Sequence, residues 1–141
     1  MHTFRGRCHC GNLHYETTTA IAAGDIRARA CDCRFCRLHG ARNWSDPGGS
    51  TAIAIADETQ LRRYRFALKT ADFLICKRCG VYLGAVLEAG DGCWSTINLR
   101  LADLDPVVET ASFGHEDTAG RVDRRRRVWT PTTVAYGDGH G

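Results

Sequence analysis

The amino-acid sequence predicts a mainly β domain with one or two short helices, and three observations carry that reading. Apolar residues recur in short alternating runs, in which every second side chain faces the same way. Stretches with a sustained period of 3.6 residues, the mark of long helices, are missing. The sparse regions Asp46-Pro47-Gly48-Gly49, Ala89-Gly90-Asp91-Gly92 and Gly137-Asp138-Gly139-His140-Gly141 read as two turns and a frayed terminus.

In chain order the expected strands are Leu13-His14-Tyr15, Thr51 to Ala56, Phe66-Ala67-Leu68, Phe73-Leu74-Ile75, Val81-Tyr82-Leu83 and Trp94 to Ile97. Two segments carry helical character: one from after Cys33 through Cys36 to about Ala41, the other from Thr118 to about Arg127. The expected pairing is mainly antiparallel, with irregular loops pinned by metal.

At 141 residues, 43% hydrophobic and 25% charged, the chain fits one compact domain spanning 1–141. A chain of this size buries roughly 68–70% of its unfolded surface, a real core whose stability gains from added staples. Arg, Asp or Lys interrupts every apolar run, so a membrane span is not expected. The start, Met1 to Cys8, lacks the apolar core of a secretory signal, which predicts a cytoplasmic location. The net charge of +3 does not argue for nucleic acid.

The unusual feature is eight cysteines, at 8 and 10, at 31, 33 and 36, at 76 and 79, and at 93. In a reducing compartment such clustering points to metal or catalysis rather than disulfides. Zinc takes four ligands in closed structural sites and commonly three protein ligands in catalytic ones. Counting therefore joins Cys8, Cys10, Cys76 and Cys79 in a closed site and leaves Cys31, Cys33 and Cys36 with an open fourth position. Gly11 and Gly80 follow the two pairs and permit the tight bends they need. A closed structural triplet, capped by His39, Cys93 or His9, is the alternative, and Cys93 otherwise reads as a buried small hydrophobe. Arg5, Arg7, Arg34, Arg37, Lys77 and Arg78 flank the ligands and suit thiolate chemistry, or are simply solvated.

These residues resemble a known family. The runs Gly6-Arg7-Cys8-His9-Cys10-Gly11-Asn12-Leu13-His14-Tyr15, Cys31-Asp32-Cys33-Arg34-Phe35-Cys36-Arg37 with His39-Gly40-Ala41, and Cys76-Lys77-Arg78-Cys79-Gly80 are similar to those of the GFA family. That family is named for the glutathione-dependent formaldehyde-activating enzyme, S-(hydroxymethyl)glutathione synthase, and includes centromere protein V-type proteins. The likeness covers about residues 5–100, with a C-terminal extension over 107–141 and only a loose match at Leu101 to Pro106. Arg34 stands where the family often has Ser.

The resemblance implies several coiled sheets around a structural zinc, similar to the Rab-associated zinc chaperone fold, and two zinc ions per chain. It makes Cys8, Cys10, Cys76 and Cys79 the structural ligands and Cys31, Cys33 and Cys36 the catalytic ones. It implies a carbon–sulfur lyase joining a thiol such as glutathione to a small aldehyde such as formaldehyde. For proton transfer His39 is the nearest candidate by sequence, with His9 behind it. A non-catalytic zinc-stabilised module for protein or nucleic acid is the other expectation, supported by Arg124-Arg125-Arg126-Arg127 beside Trp129. Trp44, Trp94, Trp129, Tyr64 and Phe66 are expected to fill the core rather than line a pocket.

Overall fold

The computed structural model describes residues 1–66, 68, 70–104, 106–114 and 116–137. The strands are β1 (His2–Arg7), β2 (Leu13–Thr19), β3 (Arg27–Cys31), β4 (Asn43–Trp44), β5 (Ser50–Ile55), β6 (Leu61–Tyr64), β7 (Asp72–Cys76), β8 (Tyr82–Ala89), β9 (Gly92–Asn98), β10 (Val107–Ala111) and β11 (Thr130–Tyr136). The helices are α1 (Arg34–His39) and α2 (Thr118–Val128), close to the two segments expected to be helical. The expectations for Ala67, Asp105 and the tail beyond Gly137 lie outside the described residues.

The alternation of the sequence translates directly into burial. In β2, Leu13, Tyr15, Thr17 and Thr19 point inward while His14 and Glu16 face out, and β5 buries Thr51, Ile53 and Ile55. Antiparallel pairing places Leu13 opposite Ile55 and Tyr15 opposite Ile53, so each apolar side chain meets another across the ladder. Tyr82 to Leu87 of β8 are buried without interruption, as suits a strand flanked by β7 and β9.

One expected strand is displaced. Phe66 and Leu68 lie outside any strand, and β6 ends at Tyr64 because its pairing, from Leu61 opposite Cys76 to Tyr64 opposite Phe73, nearly reaches the start of β7. Phe66 instead stacks on Phe35 and Phe73, with ring centroids 5.1 and 4.7 Å away.

The strands join in one mixed sheet rather than the several antiparallel sheets expected. Two pairings run parallel, β10 on β3 and β11 on β5. Both bring C-terminal strands, not anticipated from the sequence, back onto early ones, and connections of that length permit parallel addition. β9 is the junction: β8 follows it from Gly92 to Ile97, while β4 meets Ile97 and Asn98 and β11 meets Trp94 and Ser95.

The interior falls into two apolar clusters, each carrying one cysteine group. Leu13, Tyr15, Trp44, Ile53, Leu74, Leu83 and Ile97 form the first with Cys8 and Cys76. Ala71, Phe73, Tyr82, Leu87 and Trp129 form the second with Cys36. Among the described residues no helix is long and apolar enough to cross a membrane.

Candidate functional site

The first cysteine group is built from two hairpin turns of similar design. β1 runs to Arg7, Cys8 follows, and Gly11 adopts φ +85° as its N–H donates to the Cys8 carbonyl at 3.0 Å. β7 ends at Cys76, and Gly80 adopts φ +79° as its N–H donates to the Cys76 carbonyl at 2.8 Å. Only glycine enters that conformation cheaply, and each turn swings its second cysteine back toward the first.

The four sulfurs, Cys8, Cys10, Cys76 and Cys79, all lie within 4.8 Å of one another. Cys8 to Cys10 is 3.8 Å and Cys10 to Cys76 is 3.6 Å. A tetrahedral zinc with bonds of about 2.3 Å needs sulfurs about 3.8 Å apart, so this donor set fits the ion. Burial pushes Cys76 up to about 12. On Cys79 burial is outweighed by the N–H groups of Cys10 and Val81 and by neighbouring thiols, bringing it down to about 6.

The second group sits where β3 hands the chain to α1. Cys31 closes the strand, Cys33 is the N-cap of the helix, and Cys36 lies in its first turn. The Cys36 N–H donates to Cys33 Sγ at 3.4 Å, a sulfur taking the place of the usual capping oxygen. The three sulfurs lie within 4.8 Å of one another, again close enough to share an ion. Hydrogen bonds with Cys31 and Cys36 draw the Cys33 thiol down to about 2, while those with Cys31 and Cys33 drive Cys36 far up. From β4, buried Asn43 donates to Cys36 Sγ at 3.5 Å and accepts from the Tyr82 hydroxyl at 3.1 Å.

The triplet faces a cavity of about 330 Å³, and none of the other four metal-fitting cysteines lines it. Phe66, Phe73, Tyr82 and Trp129 supply its apolar wall. Trp129 and Phe66 thus serve the cavity as well as the core, whereas Trp44 packs against Phe4 in the first cluster, ring centroids 5.4 Å apart.

The other wall is cationic, and its source was not visible in the sequence. Arg29 of β3 and Arg121, Arg124 and Arg125 of α2 line the cavity. The parallel register that sets Ala111 opposite Cys31, continued by the Asp32 N–H donating to the Ala111 carbonyl at 2.9 Å, delivers the segment before α2 to the triplet. Glu116 then binds Arg124 at 2.7 Å and Arg121 at 3.3 Å.

The run Arg124 to Arg127 disperses rather than forming one basic face. Arg124 lies over Phe113, Arg125 over Trp129, Arg126 over Trp94 near Asp91, and Arg127 pairs with Asp123. The arginines and lysine that flank the cysteines in sequence do not line the cavity. Arg5 pairs with Glu16, Arg78 with Asp57, and Arg37 binds the Asp32 carbonyl.

His39 is exposed at the end of α1, its ring 4.4 Å from that of Phe35, and is not part of the cavity wall. Its ring also lies 5.8 Å from that of Tyr82, which does line the cavity. His9 is exposed beside the four-cysteine group. Cys93 packs against the first cluster and joins neither group.

No family model matches the chain. Among solved structures, a crystal structure of a Rhodobacter sphaeroides protein, a structural genomics target, is similar with a TM-score of 0.50 and 21% identity. The match covers 94% of this chain and 99% of that one, so the likeness is of the whole fold.

Proposed function

We propose that this chain is a zinc protein of the GFA type, with a structural ion held by Cys8, Cys10, Cys76 and Cys79 and a catalytic one held by Cys31, Cys33 and Cys36. The observation that carries this reading is the contrast between the groups. Four sulfurs make a complete set away from the cavity, whereas three converge on the wall of a space large enough for a small molecule. Zinc at the triplet would supply a position for an outside thiol and lower its pKa so that it ionises near neutral pH.

The proposed reaction is addition of a thiol such as glutathione to a small aldehyde such as formaldehyde, or cleavage of the adduct. A carbon–sulfur bond forms as the carbonyl π bond breaks. The sulfur's proton goes to solvent and the carbonyl oxygen takes one up, so nothing is oxidised or reduced. Asn43 orients Cys36, and the aromatic wall limits water around the reacting groups. Free thiols in this number suit a reducing compartment such as the cytoplasm.

The reaction can be followed by NMR exchange between formaldehyde and glutathione. Zinc-loaded protein should accelerate exchange, and Cys33→Ser should lose the acceleration. No acceleration by the zinc-loaded wild type would overturn the reading.

A further inference from the structure

We propose that Arg29 and Arg125 form a carboxylate-binding site in the cavity wall, suited to a small organic anion with an apolar body. Of the four arginines on that wall, Arg121 and Arg124 are matched to Glu116. Arg29 and Arg125 are not: among the described residues neither is in an ion pair. Arg29 donates to the hydroxyls of Ser45 and Thr96 at 2.9 and 3.2 Å. Arg125, only 8% exposed, donates one N–H to the Thr70 hydroxyl, while its Nε has no partner.

Asp32 and Glu116 also line the cavity, but neither is paired with Arg29 or Arg125. Neutral hydroxyls satisfy individual N–H groups without placing a carboxylate in contact, and a buried charge with no counter-ion in contact is costly. A guanidinium that has lost its hydration while keeping a free N–H is a ready partner for a carboxylate. Trp129, whose ring lies 4.7 Å below the Arg125 guanidinium carbon, fixes that group in place. The rest of the wall decides the ligand's body: Phe66, Phe73, Ala71 and Trp129 favour carbon over a fully hydrated inorganic ion. The inference stands apart from the proposed reaction, since an anion without sulfur suffices to test it.

The test uses the zinc-loaded full chain with butanoate as probe, butan-1-ol as its uncharged counterpart and inorganic sulfate as the ion without a body. Binding is read by NMR at the Arg125 Nε–Hε resonance. Butanoate should shift that resonance saturably, butan-1-ol should leave it in place, and sulfate should bind more weakly. Arg125→Gln and Arg29→Gln, each checked for a folded spectrum, should weaken butanoate about tenfold or more. Absence of a saturable shift, equal binding by the alcohol or sulfate, or binding that survives in both variants would overturn the proposal. Should either variant fail to fold, the wild-type Arg125 signal decides.

Discussion

Asn43 holds Cys36 by donating to its sulfur at 3.5 Å while accepting from the Tyr82 hydroxyl at 3.1 Å. The amide ties one member of the triplet to a buried tyrosine whose carbonyl is in turn held by Asn98 at 2.9 Å. Partners behind a metal ligand typically contribute 10–100-fold in metal affinity. Asn43→Leu should therefore weaken zinc at the triplet by about that factor, measured by chelator competition, while leaving the four-cysteine group unchanged.

The two groups should differ in what their loss does to the fold. Cys76 is fully buried at the end of β7 and links that hairpin to β1, so Cys76→Ser should abolish cooperative folding. Cys31→Ser and Cys33→Ser should stay folded and lose one of two zinc ions. Circular dichroism with elemental analysis on the same samples separates these outcomes; triplet variants that unfold as Cys76→Ser does would favour a purely structural role.

Asp72 should make stability depend on acid. Burial alone would raise its carboxyl, but Arg65 and Arg63 outweigh that and hold it below the usual carboxylate value. A depressed carboxyl contributes stability above its unfolded pKa, near 3.8, that is lost as pH falls through the lower folded value. The difference in denaturation midpoint between the wild type and Asp72→Asn should be full at pH 6 and shrink below about pH 4, metal effects being common to both.

The arginine run should be dispensable at one end and not at the other. Arg126 and Arg127 make exposed pairs, each worth at most about 1 kcal/mol, so their replacement by Gln should leave the melting temperature nearly unchanged. Arg124→Gln should cost more, because it leaves Glu116 with Arg121 alone in a half-buried site. A gel shift with duplex DNA should show no steep dependence on salt.

Much of the site was legible because its chemistry is local. Cysteines two or three positions apart, each set followed by a glycine or opening a helix, are kept close by the local chain, and joining the two distant pairs into one group of four came from counting the ligands a zinc ion takes. The mainly β fold was equally plain from the alternation in β2 and β5. The cationic wall was not, since it depends on β10 lying parallel to β3 across a separation of about eighty residues, and no local pattern encodes that register. In the sequence Arg125 stood out only as part of a basic run beside Trp129, although it is buried. His39, the nearest candidate by sequence, lies against Phe35 and Tyr82 and is not among the residues that line the cavity.

The central claim is that the metal held by the triplet accepts an outside thiol. Cobalt(II)-substituted protein tests it most directly, because thiolate-to-cobalt absorption reports each sulfur bound. Adding 2-mercaptoethanol should increase that absorption saturably in the wild type and leave Cys33→Ser unchanged. A wild-type spectrum indifferent to the thiol, with two cobalt ions bound, would contradict it.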